Sequence, residues 1–143
     1  MIRNKFLFYL ISFTWGLPLT LVGCLIAIVL LATGHKPRKW GYCYYFEIGE
    51  GWGGLEFGPI FLANKNASKN IKNHELGHAI QGCWFGPLMP FIVCIPSAIR
   101  YWYRIIRKKI GRPCKTNYYS IWFEAQASIL GTSFMDWYTN KTK

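Results

Sequence analysis

Acidic side chains are scarce in this sequence. Six Asp and Glu residues stand against 17 Lys and Arg residues in 143 positions, which gives a formal net charge of +11. Charged residues make up only 16% of the chain, whereas about 25% is usual in globular domains. Hydrophobic residues make up 52% and aromatic residues 18%. A chain of this length forms one domain at most, and its composition indicates that part of it contacts a membrane.

Paired cysteines and nucleic-acid-binding modules are also missing. The five cysteines are an odd number without Cys-x-x-Cys spacing, which argues against a zinc finger or a disulfide framework and favours free thiols in a reducing compartment. The basic cluster between residues 100 and 115 has no recognisable nucleic-acid module beside it. We therefore interpret this cluster as a topology signal that lies against anionic lipid headgroups, and we expect no nucleic-acid partner.

Charge is absent from residues 6–33. This run exceeds the ~20 apolar residues that cross a bilayer as a helix, and a cleaved signal peptide has a shorter apolar core of ~7–15 residues. It predicts a retained N-terminal transmembrane helix, kinked near Pro18. Basic residues are slightly more numerous after the run than before it, so the positive-inside rule favours a cytoplasmic body.

The predicted organisation is a transmembrane anchor over residues 1–33 and a small α+β domain over residues 34–143. Within the domain, residues 40–63 interleave aromatic and β-branched residues with glycines. That pattern predicts two strands in a β-hairpin, with a bulge at the glycines in its middle.

Two helices are predicted to follow, separated by an apolar segment. Ser68 is predicted to be the N-cap of a helix over residues 69–82, and a last helix is predicted over residues 118–130, ending at the next glycine. The segment between them, residues 83–103, is apolar but contains three prolines. The prolines favour a membrane-associated segment that dips into the bilayer or packs against the anchor, with the whole body on one side.

Two of the three histidines lie in the segment NHELGHAIQG, with Glu75 directly after the first. On a helix, His74 and His78 project from the same face and can bind one Zn²⁺ at ~2.0–2.1 Å each. Glu75 lies about 100° further round the helix and can reach a zinc-bound water. This is the HExxH arrangement, in which the glutamate is the general base. The alternative is a chance match between ordinary polar residues.

A catalytic zinc site needs a third protein ligand. We interpret Glu47, Glu50 and Glu56 as surface residues of the hairpin. Glu124 differs because it lies in the middle of the last predicted helix among apolar neighbours, where an unpaired carboxylate is costly to bury. A metal ion or a nearby arginine would offset that cost, and the metal is the hypothesis that we favour.

The HExxH segment with its downstream helical glutamate resembles the gluzincin metallopeptidases. In addition, WGGLEFGPIFLANKN, NHELGHAIQGCWFGP, CIPSAIRYWYR and IWFEAQASILGT are similar to segments of a family of small, mostly uncharacterised bacterial membrane proteins, over about residues 52–132. The resemblance implies a gluzincin-like body in which His74, His78 and Glu124 bind zinc and Glu75 is the catalytic base. The NPDG-type motif of site-2 proteases is missing, which argues against the intramembrane class.

The sequence therefore predicts a membrane-associated zinc metallopeptidase of the bacterial inner membrane. It would hydrolyse peptide or protein substrates through a Glu-activated zinc-bound water. A non-haem iron enzyme is one alternative, because two histidines and a carboxylate also suit that metal. A non-catalytic membrane protein with a structural or degenerate site is another.

The sequence offers several residues that could assist the zinc ligands and the catalytic base in such a site. Tyr118, Tyr119 and Arg100 are candidates, by residue type only, for stabilising an oxyanion. Gln81 lies one turn beyond His78 and is interpreted as capping the helix end rather than as orienting a ligand. The sequence makes no prediction of oligomeric state.

Overall fold

The computed structural model describes residues 2–142 and confirms an α+β architecture. In this part of the chain the elements are α1 (Lys5–Ser12), α2 (Leu17–Ala32), β1 (Arg38–Trp40), β2 (Cys43–Glu47), β3 (Gly54–Phe57), β4 (Ile60–Ala63), α3 (Lys69–Phe85), α4 (Ile95–Lys109) and α5 (Trp122–Lys141). Single helical turns at Gly86–Leu88, Pro90–Cys94 and Tyr118–Ser120 link the last three helices. The division of the chain at residue 33 stays a prediction.

The N-terminal apolar run forms two helices, so the prediction of one long kinked helix is wrong. Helix α1 ends at Ser12, and α2 leaves at 94° to it. Pro18 lies in the first turn of α2, where its missing N–H has no helical partner to lose. The hydroxyl of Thr20 donates to the carbonyl oxygen of Ser12 over 2.8 Å, which satisfies one backbone acceptor at the end of α1.

No single helix among residues 2–142 is both long enough and apolar enough to cross a membrane; α5 has 20 residues but is not sufficiently apolar. The pair α1 and α2 meets the criteria of length and hydropathy only when the two helices are taken together across their bend. The same holds for α3 and α4 with the turns between them, where the bend is 113°.

The four strands form one mixed sheet in the order β1-β2-β4-β3. Strands β1 and β2 are antiparallel, as are β3 and β4, and the parallel pairing of β2 with β4 joins these two hairpins. The single predicted hairpin is therefore corrected to two. The parallel register places Tyr45 beside Phe61, and their stacked rings, 5.1 Å apart, bring two apolar side chains into the core.

Helix α3 contacts the sheet and α5, and it carries the centre of the core. Ser68 caps its first turn, as predicted, by accepting a hydrogen bond from the amide of Ile71 over 3.3 Å. The helix runs to Phe85 rather than ending at Gly82, and it stops at Gly86, whose φ of 53° is readily adopted only by glycine. The largest core side chains around α3 are fully buried: Phe8, Phe61, Leu76, Ile80 and Phe134.

Helices α3 and α5 meet backbone to backbone at two glycines. A Cβ atom at Gly77 would overlap the carbonyl oxygen of Ala127, and one at Gly131 would overlap that of Asn73. The prediction that the last helix ends at Gly131 is therefore wrong, because this glycine lies inside α5 and permits the close approach. The approach brings Glu124, one turn before Ala127, to the face of α3 that carries the histidines.

Candidate metal centre

The three residues predicted as zinc ligands lie together. The Nε2 atoms of His74 and His78 are 3.0 Å apart. The Oε2 atom of Glu124 is 3.0 Å from the first of these nitrogens and 3.5 Å from the second. All three side chains are buried, and the site can hold a metal ion because one donor atom of each lies within 4.8 Å of the others.

The hydrogen bonds around His78 determine which ring nitrogen carries its proton. The side-chain amide nitrogen of Gln81 donates to the carbonyl oxygen of Phe123 and to Oε1 of Gln126, both over 2.9 Å. Its oxygen therefore faces His78 Nδ1, 2.8 Å away, and accepts a hydrogen bond from that nitrogen. Gln81 thus orients the His78 ring, contrary to its interpretation as a helix cap, and leaves His78 Nε2 free.

A serine does the same for the other histidine. The hydroxyl of Ser128 donates to the carbonyl oxygen of Glu124 over 3.2 Å and accepts from His74 Nδ1 over 2.9 Å. The electron pair of His74 Nε2 is therefore free as well. Such partners to the remote ring nitrogen are usual around metal-binding histidines, because they fix the tautomer and the ring orientation.

Only one oxygen of Glu124 has partners. Its Oε1 atom accepts hydrogen bonds from the hydroxyls of Ser97 and Tyr118, whereas Oε2 has no hydrogen-bond partner in the described chain and faces both imidazoles. A buried acceptor without a donor is destabilising. Three electron pairs thus converge in a buried site, and a cation can be held between them.

In the metal-free protein a proton can take that place. Burial opposes protonation of His78, but Glu124, Glu75 and Glu56 outweigh it and raise the pKa of His78 to about 9. Burial likewise opposes ionisation of Glu124, yet the two imidazoles hold the pKa of this carboxyl well below its usual range. A metal ion and a proton would therefore compete for the same place in this site.

Glu75 lies on α3 beside the ligands and lines the cavity next to them. Within the described residues, no hydrogen bond holds its carboxylate. Burial raises the pKa of Glu75 to about 7. Strand β3 leaves room for it only because residue 54 is glycine: a Cβ there would stand 2.5 Å from Glu75 Oε1.

Glu56 is the acidic residue that sequence reasoning misplaced. It was assigned to the surface, but its side chain is only 5% exposed, while the neighbouring Leu55 is 49% exposed. Its carboxylate accepts a hydrogen bond from the amide of Gly58 and lines the same cavity as Glu75. Burial raises the pKa of Glu56 to about 8. The alternation of buried and exposed residues along β3 predicts the burial of Glu56 only when it is known which set of residues faces the core.

A cavity of about 660 Å³ opens beside the ligands, walled by strand β3, helix α4 and the turn before α5. Of the oxyanion candidates, Tyr118 and Tyr119 line it, and the ring of Tyr119 lies 5.0 Å from that of His74. Arg100 does not: its guanidinium donates to the carbonyl oxygens of Asn117 and Tyr118 and so holds the turn in place.

Comparison with protein-family models, with curated proteins and with solved structures found no match to this chain.

Proposed function

We propose that this protein is a membrane-associated, zinc-dependent metallopeptidase. The observation that carries the proposal is the set of three free electron pairs, on His74, His78 and Glu124, beside a cavity lined by the carboxylate of Glu75. Two neutral imidazoles and one carboxylate are a ligand set of catalytic zinc sites, which keep one coordination position open. When bound, zinc would activate a water molecule and polarise a carbonyl group.

The side chains around the ligands supply the remaining chemistry. Glu75 takes a proton from the attacking water and passes it to the leaving amine, and it is available for this because no hydrogen bond in the described chain engages its carboxylate. Tyr119 is better placed than Tyr118 to donate to a developing oxyanion. The phenol of Tyr118 already lies within hydrogen-bond distance of the Glu124 carboxylate and the Ser97 carbonyl oxygen.

Exposed apolar surface on two helices supports the membrane association. On α2, Leu25, Ile28 and Val29 are each more than 60% exposed, and on α4, Ile99 and Ile106 form part of an apolar stripe. Basic residues crowd the end of α4. Apolar surface of this extent flanked by positive charge fits a bilayer with anionic headgroups, in which the amphipathic helix α4 lies along the interface and the uniformly apolar α2 contacts the hydrocarbon.

The test combines metal analysis with peptide hydrolysis by the detergent-purified full-length chain. Glu75→Gln should retain one zinc per chain and lose at least about 100-fold of the hydrolysis rate, since a general base contributes about 10²–10⁴-fold. His74→Ala should lose both zinc and activity. Hydrolysis by Glu75→Gln at the normal rate would refute the assignment of the base, and copurified iron in place of zinc would support the alternative of a non-haem iron enzyme.

A further inference from the structure

The cavity extends well beyond the metal centre along one face of α4. Ser97, whose hydroxyl donates to Glu124, marks the metal end. Arg104 and Lys108 line the same cavity further along the helix. At 3.6 residues per turn, both lie within about 20° of Ser97 around the helix axis. One straight line of side chains therefore runs from the metal centre to two positive charges.

Unlike Arg100 and Arg107 on the same helix, these two cavity-lining charges have no partner within residues 2–142. Arg100 is held by carbonyl oxygens of the turn before α5, and Arg107 donates to the carbonyl oxygen of Arg112. Within residues 2–142, Arg104 and Lys108 have neither an ion pair nor a side-chain hydrogen bond. They face the cavity, and its walls between them and the metal end are largely apolar, with Ala98, Tyr101 and Ile105 from α4.

We propose that Arg104 and Lys108 form an anion-binding subsite that selects peptides with an acidic group at a set distance from the scissile bond. The inference rests on the proposed peptidase function and adds the substrate class. At 1.5 Å rise per residue, the two side chains start about 10 and about 16 Å from Ser97 along the helix. An extended peptide covers about 3.3 Å per residue, so the acidic group lies about three to five residues from the cleaved bond.

The anion can be an acidic side chain or the C-terminal carboxylate of a peptide, because both offer a carboxylate of the same geometry to Arg and Lys. The apolar walls accept uncharged side chains between the two ends of the site. The scissile carbonyl group would be held at the metal end of the cavity, and the acidic group would be held by Arg104 and Lys108 at the other end. These two contacts would fix the register of the peptide.

Binding to the metal-free protein tests this subsite independently of hydrolysis. Dansyl-labelled decapeptides with blocked ends carry a single Glu, Gln or Lys in an otherwise uncharged sequence, and fluorescence anisotropy in a non-ionic detergent gives their affinities. The Glu peptide should bind about tenfold more tightly than the Gln peptide, the size expected of a hydrogen-bonded charge. A Gln peptide with a free C-terminal carboxylate, compared with its amide, distinguishes the terminal from the side-chain source.

Charge reversal supplies the matched control. The double variant Arg104→Glu with Lys108→Glu should prefer the Lys peptide, and this reversed preference shows that the variant is folded. Lys109→Glu changes the charge of the same helix outside the cavity and should keep the preference for Glu. Equal affinity of the Glu and Gln peptides, or no measurable binding of any peptide, overturns the subsite.

The two proposals fail in different ways. If the Glu peptide binds preferentially but no metal-loaded sample cleaves any peptide, the subsite stands and the peptidase function fails. If the protein cleaves the Glu and Gln peptides equally well and binds them equally, the peptidase function stands and the subsite fails. Mass spectrometry of the products then measures the number of residues between the cleaved bond and the glutamate.

Discussion

The Nδ1 atom of His78 lies 2.8 Å from the side-chain oxygen of Gln81, and this contact directs the free electron pair of the imidazole toward His74. The arrangement makes Gln81 part of the candidate metal centre, although it is not one of the three proposed ligands. The amide nitrogen of Gln81 donates in turn to Phe123 and Gln126 on α5. Helix α5 therefore fixes the tautomer of His78 on α3.

Replacing Gln81 with leucine should weaken zinc binding by about 10–100-fold, the usual effect of losing a partner of a metal-binding histidine. The measurement is competition for zinc against a fluorescent chelator. Gln126→Leu is the matched control, since it removes one hydrogen bond from the same amide but leaves the contact with His78; its affinity should stay within about threefold of the normal chain. The same loss in both variants would show that Gln81 does not act through His78.

Replacing Gly77 with alanine should push α5 away from α3 and separate Glu124 from the two imidazoles. We expect the free energy of unfolding to fall by about 1–3 kcal/mol, as in other overpacked cores, and zinc binding to be lost. Gly82→Ala is the control on the same helix, because a Cβ there meets nothing closer than Glu56 Oε1 at 3.7 Å. It should bind zinc normally and gain about 0.5–1 kcal/mol from the helical preference of alanine. Normal zinc binding by Gly77→Ala would contradict the packing argument.

Glu56 should make the metal-free protein less stable as the pH rises. Its pKa is raised by burial from 4.5 to about 8 in the folded chain, so the folded state binds the proton more tightly than the unfolded state. The stability that this group contributes is complete below about pH 4.5 and is lost as the pH rises through about 8. Because Glu75 also has a raised pKa and the pKa of His78 responds to both carboxylates, the effect of Glu56 is measured as a difference between variants.

The variant Glu56→Gln isolates this effect and keeps an acceptor for the amide of Gly58. Thermal unfolding of the metal-free normal and Glu56→Gln chains should nearly coincide near pH 4.5. Near pH 8 the variant should be more stable by about 4 kcal/mol, at 1.36 kcal/mol per pKa unit for a pKa raised from 4.5 to about 8. A constant difference between the two chains at both pH values would mean that Glu56 is ionised in the folded protein.

Membrane binding should depend on the outward face of α4. Ile99→Glu and Ile106→Glu each place a charge at a position that is more than half exposed. Each should lower the affinity for mixed phosphatidylcholine and phosphatidylglycerol vesicles by at least about tenfold. The reason is that burial of an isoleucine side chain contributes ~1.5–3 kcal/mol. Thr139→Glu adds the same charge at an exposed position of α5 and should bind normally. Vesicle flotation measures the binding of all three variants. If the two isoleucine variants bind vesicles as tightly as the normal chain, this face of α4 does not contact the membrane.

Local sequence patterns were sufficient to predict the helices that carry His74, His78 and Glu124. The helical spacing of His74 and His78 places them on one face regardless of what surrounds the helix, and Ser68 caps that helix by a contact within its own first turn. The high cost of burying Glu124 without a partner likewise predicted that it joins the two histidines. These properties depend on neighbours within a few residues, and the sequence contains them directly.

Other features came from contacts between residues far apart in the chain. Gly131 reads as a helix end, yet it lies inside α5 because the carbonyl oxygen of Asn73 occupies the space of a side chain. Pro18 predicts a kink within one helix, but it lies in the first turn of a second helix, α2. The hydroxyl of Thr20 on α2 donates to a carbonyl oxygen at the end of α1. Glu56 reads as a surface residue because strand alternation alone leaves the phase of the strand undetermined.

What the sequence determined by itself was a pair of imidazoles with a carboxylate beside them, one distant glutamate that required a partner, and an excess of apolar and basic residues. The tertiary structure decided that this glutamate meets the imidazoles, that Gln81 and Ser128 fix both tautomers, and that Glu56 joins Glu75 in the cavity wall. The physical reason is the close crossing of α3 and α5 at two glycines, a contact between residues 50 or more positions apart that no local pattern encodes.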